Sequence, residues 1–128
     1  ITSTGDICDT GGDGELTDCA SDIRLKTNIE EYKYGLNEIL KLNPVNFNWN
    51  EKASDLGYDP DLRVSGLIAQ EVEEIIPEWV EINSDGYKKI PGSGEMRYAL
   101  INSIKELKVE NDILREELCV KDSSYSWC

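Results

Sequence analysis

From Leu100 to Leu118 the chain repeats an apolar spacing of alternating steps of four and three: Leu100, Ile104, Leu107, Asn111, Leu114, Leu118. That spacing is helical, and it draws a narrow seam rather than a broad face. In heptad terms Ile104, Asn111 and Leu118 take position a, and Leu100, Leu107 and Leu114 take position d. The flanking g residues Glu110 and Glu117 oppose the e residues Lys108 and Arg115 in sign, so Glu110 can reach Arg115 of a parallel neighbour. A coiled coil is one reading of this seam. The other is a single amphipathic helix that lays the seam on its own domain.

Upstream of the seam the pattern keeps switching period. Ile23, Leu25 and Ile29 predict a short strand with one buried face between Asp22 and Ile29. Glu30 to Leu42 reads as a helix, with Leu36, Ile39, Leu40 and Asn43 on one face and Pro44 ending it. Val45 to Trp49 alternates as a strand, and residues 50–63 read as a polar loop. Val64 to Ala69 predicts a strand and Gln70 to Ile76 a short helix stopped by Pro77. Two β-type runs, Trp79 to Ile82 and Tyr87 to Ile90, flank Asn83-Ser84-Asp85-Gly86, a hairpin signal. Residues 91–94 form a linker turn, and the last helix starts near Glu95. The tail after Cys119 is polar until Tyr125 and Trp127 and reads as a hairpin anchored on that helix. The expected class is α+β: a small mixed domain of short strands and helices, with a long C-terminal helix forming the coiled coil.

Charge narrows the partners. Acidic residues number 26 against 13 basic ones, a net charge of -13. Such a chain lacks the basic face that nucleic acid binding needs and is repelled by anionic membrane surfaces. No apolar run reaches the ~20 residues of a membrane span. The sequence starts at Ile1 without a Met and is expected to be a piece of a longer protein. Residues 1–20 hold five acids, no Lys or Arg, and a Gly-Gly-Asp-Gly run, which is leader or fibre-end material. Asp9, Asp13 and Glu15 miss the spacing of a calcium loop. Cys8, Cys19, Cys119 and Cys128 do not fit a zinc pattern, and there is no His. Pairs Cys8–Cys19 and Cys119–Cys128 in an oxidising compartment, or four free thiols, are both open readings. No metal and no cofactor is expected.

One stretch carries reactive side chains: Ser21-Asp22-Ile23-Arg24-Leu25-Lys26. Without a His a Ser-His-Asp triad is impossible. A neutral Lys can serve as the base for a Ser nucleophile, although a capping Ser near a solvated Lys has the same residues. Regular structure keeps the two apart: they face opposite sides of a strand. In a helix they stand about 140° apart. They meet only across a turn or bulge, or when Lys26 comes from a neighbouring subunit. A neutral Lys26 needs apolar surroundings or a second cation such as Arg24, whereas Asp22 beside it would hold it charged.

Three stretches in order carry a family resemblance: Ser21-Asp22-Ile23-Arg24-Leu25-Lys26-Thr27-Asn28-Ile29; Gly66-Leu67-Ile68-Ala69-Gln70-Glu71-Val72 followed by Pro77-Glu78-Trp79-Val80; and Tyr98-Ala99-Leu100-Ile101 running into Ile104-Lys105-Glu106-Leu107. Together they resemble the intramolecular chaperone auto-processing domain of phage tailspike and tail-fibre proteins, the S74 peptidase family. They are also similar to the self-cleaving segment of the myelin regulatory factor proteins. The likeness spans residues 21–118, between a leader of residues 1–20 and a tail of residues 119–128. It implies a homotrimer and self-cleavage between Ala20 and Ser21, with Ser21 as nucleophile and Lys26 as base. Gln70 lies in the matching central block; it either supports the oxyanion or is a buried structural amide. The partner implied is the upstream fibre domain of the same precursor, in a phage virion tail fibre or a bacterial surface or secreted fibre.

Two functions follow. The first is a C-terminal chaperone that trimerises a fibre protein and then releases itself. The second is a non-cleaving trimeric cap or binding module, in which Trp49, Trp79 and Trp127 contact a partner. The apolar patterns around Trp49 and Trp79 place those two in the core instead.

Overall fold

The computed structural model describes residues 21–91 and 94–128. The leader, Ala20, Cys8, Cys19, the acids Asp9, Asp13 and Glu15, and the centre of the turn at residues 91–94 lie outside the described residues. In chain order the regular elements are α1 (Leu36–Ile39), β1 (Val45–Asn48), α2 (Glu51–Asp55), β2 (Arg63–Gly66), α3 (Ala69–Ile75), β3 (Glu81–Ile82), β4 (Lys88–Lys89) and α4 (Gly94–Lys121), with 3-10 turns at Ile23–Leu25 and Pro77–Trp79. The expected mixture of short strands and helices with a long last helix is therefore present. The elements divide into two units, one joining the residues before Leu40 to those after Pro91, the other Leu40–Pro91.

In the Leu40–Pro91 unit, alternation does what the sequence predicts. Strands β1 and β2 are antiparallel, pairing Val45 with Gly66 and Phe47 with Val64. Their other face is polar: Ser65 Oγ lies 2.5 Å from Asn46 Oδ1, and Arg63 Nη1 donates to Asn48 Oδ1 at 2.9 Å. Gly66 lets the Phe47 ring lie close against the strand, since a Cβ there would sit 3.3 Å from it. Helix α2 occupies the expected polar loop, capped by Asn50, whose side chain accepts from Ala53 N at 3.1 Å. Helix α3 buries Val72 and hands over to buried Ile76 and Trp79 around Pro77. The expected hairpin forms, in register Glu81 with Lys89 and Ile82 with Lys88. Asn83 organises its turn by accepting from Asp85 N and Tyr87 N, each at 3.0 Å.

The other unit departs further from expectation. The predicted helix from Glu30 to Leu42 shrinks to the single turn of α1. Residues before it are held in an open conformation by a side chain of α4: Asn102 Nδ2 donates to the carbonyls of Tyr32 at 2.8 Å and Tyr34 at 2.9 Å. Those carbonyls are thus taken by an amide about seventy residues away instead of by the helix ladder. Glu106 caps α1 from outside, accepting from Leu36 N at 2.9 Å. Gly35 permits that approach, since a Cβ there would lie 2.5 Å from Glu106 Oε1. Only Leu36 and Ile39 of the predicted apolar face are covered; Leu40 and Asn43 are exposed.

The strand predicted at Asp22 to Ile29 is absent. Ile23–Leu25 is a 3-10 turn, and Ile23, Leu25 and Ile29 are 64–73% exposed, with no buried face. Apolar alternation makes a strand only where a second strand pairs with it, and none is present among the described residues.

Helix α4 presents two faces. Ala99 is fully buried and Ser103 nearly so, its hydroxyl donating to Ala99 O at 2.7 Å. The seam points elsewhere: Leu100, Ile104, Leu107, Leu114 and Leu118 are 42–68% exposed, and Asn111 is exposed too. The seam is thus not the face that packs on its own chain. Past the helix the tail forms a compact turn without strands. Cys119 and Cys128 are joined by a disulfide across a Cα separation of 5.7 Å. Tyr125 and Trp127 stack at 4.6 Å, and the Arg115 guanidinium lies 5.1 Å from the Trp127 ring centroid.

Candidate functional site

The reactive pair of the sequence meets in the structure. Lys26 Nζ donates to Ser21 Oγ at 2.7 Å. The contact is local, made by the 3-10 turn Ile23–Leu25 with extended residues on either side, Asp22 at φ -67° and ψ 133° and Lys26 at φ -116° and ψ 148°. Chain that enters and leaves a single turn extended brings its ends together, which neither a strand nor a helix does here. Of the two routes open in the sequence, the turn is the one adopted, and a neighbouring subunit is not needed for the contact.

The turn is closed by Leu25 N donating to Asp22 O at 3.0 Å and Lys26 N to Ile23 O at 3.1 Å. The Asp22 carboxylate accepts from Arg24 N at 2.8 Å, as an N-cap does. The same carboxylate takes Arg24 Nε and Nη2, with an ion pair at 2.9 Å. These bonds from Arg24 hold the Asp22 carboxyl below its usual range, and Asp22 in turn raises the Arg24 guanidinium. Asp22 and Arg24 therefore answer each other's charge. Both Ser21 and Lys26 are exposed in the single chain.

Gln70 belongs to the other unit. It is exposed on α3, on the rim of a groove lined by Phe47, Trp49, Tyr58 and Tyr87. The expectation of a buried structural amide is overturned: Gln70 stands two positions from buried Val72, about 160° away around the helix. Trp79 is buried as expected, Trp49 half-buried against Tyr58, and Trp127 exposed. Two e-position cations are occupied within the chain, Lys108 by Asp112 and Arg115 by Trp127. The roles of Asn102 and Glu106 were not readable in advance. Their one signal is that both interrupt the outward pattern of α4 on the side of Ala99 and Ser103.

Among the described residues, no helix is long and apolar enough to cross a membrane. No cluster of three or more metal-ligating side chains occurs among them.

An exposed serine and lysine are held together by a local turn, and comparison with known proteins says what the chain is similar to. Residues 21–81 match the Peptidase_S74 family, described as the chaperone of endosialidase. The chain is similar to the long tail fiber protein Gp37 of Enterobacteria phage K3, 31% identical over 101 residues. It is similar to the same extent, 31% over 101 residues, to the long tail fiber protein Gp37 of Enterobacteria phage T2. Each alignment covers 77% of this chain but only 8% of the K3 protein and 7% of the T2 protein.

Proposed function

We propose that this segment is the intramolecular chaperone of a phage tail-fibre precursor, that it trimerises through the seam of α4, and that it releases itself by cutting between Ala20 and Ser21. The observation that carries the proposal is the 2.7 Å contact of Lys26 Nζ with Ser21 Oγ inside a segment of that family.

In this reading neutral Lys26 takes the proton of Ser21 Oγ as the oxygen attacks the Ala20 carbonyl carbon. The C–N bond between Ala20 and Ser21 breaks, the departing nitrogen takes the proton, and the acyl group passes to Oγ as an ester. Water then hydrolyses the ester, leaving the Ala20 carboxylate and restoring Ser21. General-base work needs the neutral amine, and burial favours that form. Exposed Ile23, Leu25 and Ile29 beside the pair, together with the exposed seam, support assembly as the source of that burial. Cutting would then follow trimerisation rather than precede it. Three chains that start in register are spared the slow non-local search of a β-structured fibre, and removal of the chaperone makes the fibre's stability kinetic.

The test is a denaturing gel of the chain expressed with residues 1–20 attached. The wild type is expected to give two fragments and Ser21→Ala one intact chain, still trimeric. Lys26→Arg is also expected to stay whole, since Arg remains protonated at any working pH. Cutting of Ser21→Ala at the same bond removes Ser21 from the mechanism. A wild type that stays whole favours the non-cleaving trimeric cap.

A further inference from the structure

We infer that Asp22 is a positioning residue of the self-cleavage reaction, its side chain setting the turn that presents Lys26 to Ser21. The inference rests on the Ser21 and Lys26 reading and adds a third residue to it. Six residues separate nothing but geometry from reactivity here: the ends of the segment 21–26 touch only because the chain turns between them. Of the hydrogen bonds that close this turn, two end on Asp22: its carbonyl accepts from Leu25 N at 3.0 Å and its Oδ1 from Arg24 N at 2.8 Å. The second is supplied by a side chain, so a substitution can delete it while the backbone stays intact. Asp22 itself is extended, the conformation from which an Asp or Asn side chain folds back onto the N–H two residues on. Apolar packing by the described residues does little to anchor the turn, since Ile23 and Leu25 are largely exposed.

The carboxylate's second partner is the Arg24 guanidinium, on a side chain that is 86% exposed. An exposed pair of this kind contributes little. The backbone cap is therefore assigned the positioning role, and the ion pair is not. Asparagine can replace the cap, because its Oδ1 accepts the same bond from Arg24 N.

The experiment follows the rate of fragment appearance for the chain carrying residues 1–20, in Asp22→Ala, Asp22→Asn, Arg24→Ala and Ser21→Ala. Loss of an Asx cap lowers the population of the conformation it closes by about 2- to 30-fold. Asp22→Ala is expected to slow cleavage in that range while trimer formation, read by sedimentation, is unchanged. Asp22→Asn is expected to restore the rate, which a general loss of charge or folding would not allow. Arg24→Ala keeps the backbone N–H and with it the cap, and is expected to cut faster than Asp22→Ala. Wild-type cleavage in Asp22→Ala overturns the inference, as does an Asp22→Asn as slow as Asp22→Ala. An Arg24→Ala as slow as Asp22→Ala overturns it too, by moving the role to the ion pair. A slow Asp22→Ala that has also lost its trimer overturns it by assigning Asp22 to assembly. Cutting of Ser21→Ala, by contrast, defeats the underlying nucleophile assignment whatever Asp22 does.

Discussion

The two long faces of α4 differ in composition and are used in opposite ways. The face of Ala99, Asn102, Ser103 and Glu106 is turned inward on its own chain: it buries a methyl and a hydroxyl, and its amide and carboxylate satisfy backbone groups of residues 32–36. The seam from Leu100 to Leu118 lies about 110° around the helix and stays open along its length. The inward face is small and polar and works by close approach; the outward one is large and apolar and is left largely uncovered by the described residues. In the proposed trimer such a helix is held twice, once internally and once by other copies.

Breaking the outward face should have the largest effect. Truncating a Leu buried in an interface costs about 2–5 kcal/mol, so Leu107→Ala with Leu114→Ala is expected to give monomers in sedimentation equilibrium at tens of micromolar. The bonds of Asn102 and Glu106 should survive, read as unchanged hydrogen-exchange protection of Leu36 N–H. An oligomer that persists in that variant would show that the seam is not the interface.

The inward face is tested by overfilling it. Ala99→Leu should cost about 1–3 kcal/mol, seen as a lowered Tm. Glu116→Leu, at an exposed position, should stay within about 0.5 kcal/mol. Equal effects at both positions would erase the difference between the faces.

A smaller change, of opposite sign, is expected from Asn111→Ile. Three asparagines meeting at one a layer cost stability but penalise shifted registers. Removing them should raise Tm and broaden the range of oligomers; a single clean trimer after the substitution would deny Asn111 its register role.

The smallest effect concerns the two Asp-capped turns at the ends of this unit. The carboxyls of Asp22 and Asp122 are both held below their usual range, by bonds from Arg24 and Ser124 respectively. Groups so depressed contribute stability that is present above the ordinary carboxyl value of 3.8 and lost as pH falls through their lower folded values. Both residues are exposed, so acid should loosen the turns without unfolding the unit, visible as chemical-shift changes at the Arg24 and Ser124 amides below about pH 4. Turns that loosen at neutral pH would count against the caps.

How legible this was depended on the reach of the interactions. Strands β1 and β2, the stop of α3 at Pro77 and the hairpin around Asn83 follow from patterns a few residues wide, and the sequence predicts each. Helix α2 was missed although its signal was present: Asn50 as cap, Glu51 in the first turn and Gly57 just past the end, at φ 97°. The helix expected at Glu30 to Leu42 failed for a different reason, because Asn102 and Glu106 capture its backbone from some seventy residues away and no local pattern reports that. At the candidate site the Ser and Lys were identified but the turn joining them was not specified. Asp22 was read as a charge near Lys26, whereas an Asp two residues before a backbone N–H it can reach is equally a cap signal.

The locality of the Ser21 and Lys26 contact has a consequence in time. Closing a loop of about ten residues takes roughly 10–100 ns, and this one spans only from residue 21 to residue 26. Among the described residues its hydrogen bonds are all internal to that span, so the pair can meet as soon as the ribosome has released it. In the proposed reaction geometry is then not the clock. On a nascent chain the pair is already aimed, and the proposal assigns the delay to a later event: water leaving the site as neighbouring chains of the proposed trimer close over Ile23, Leu25 and Ile29.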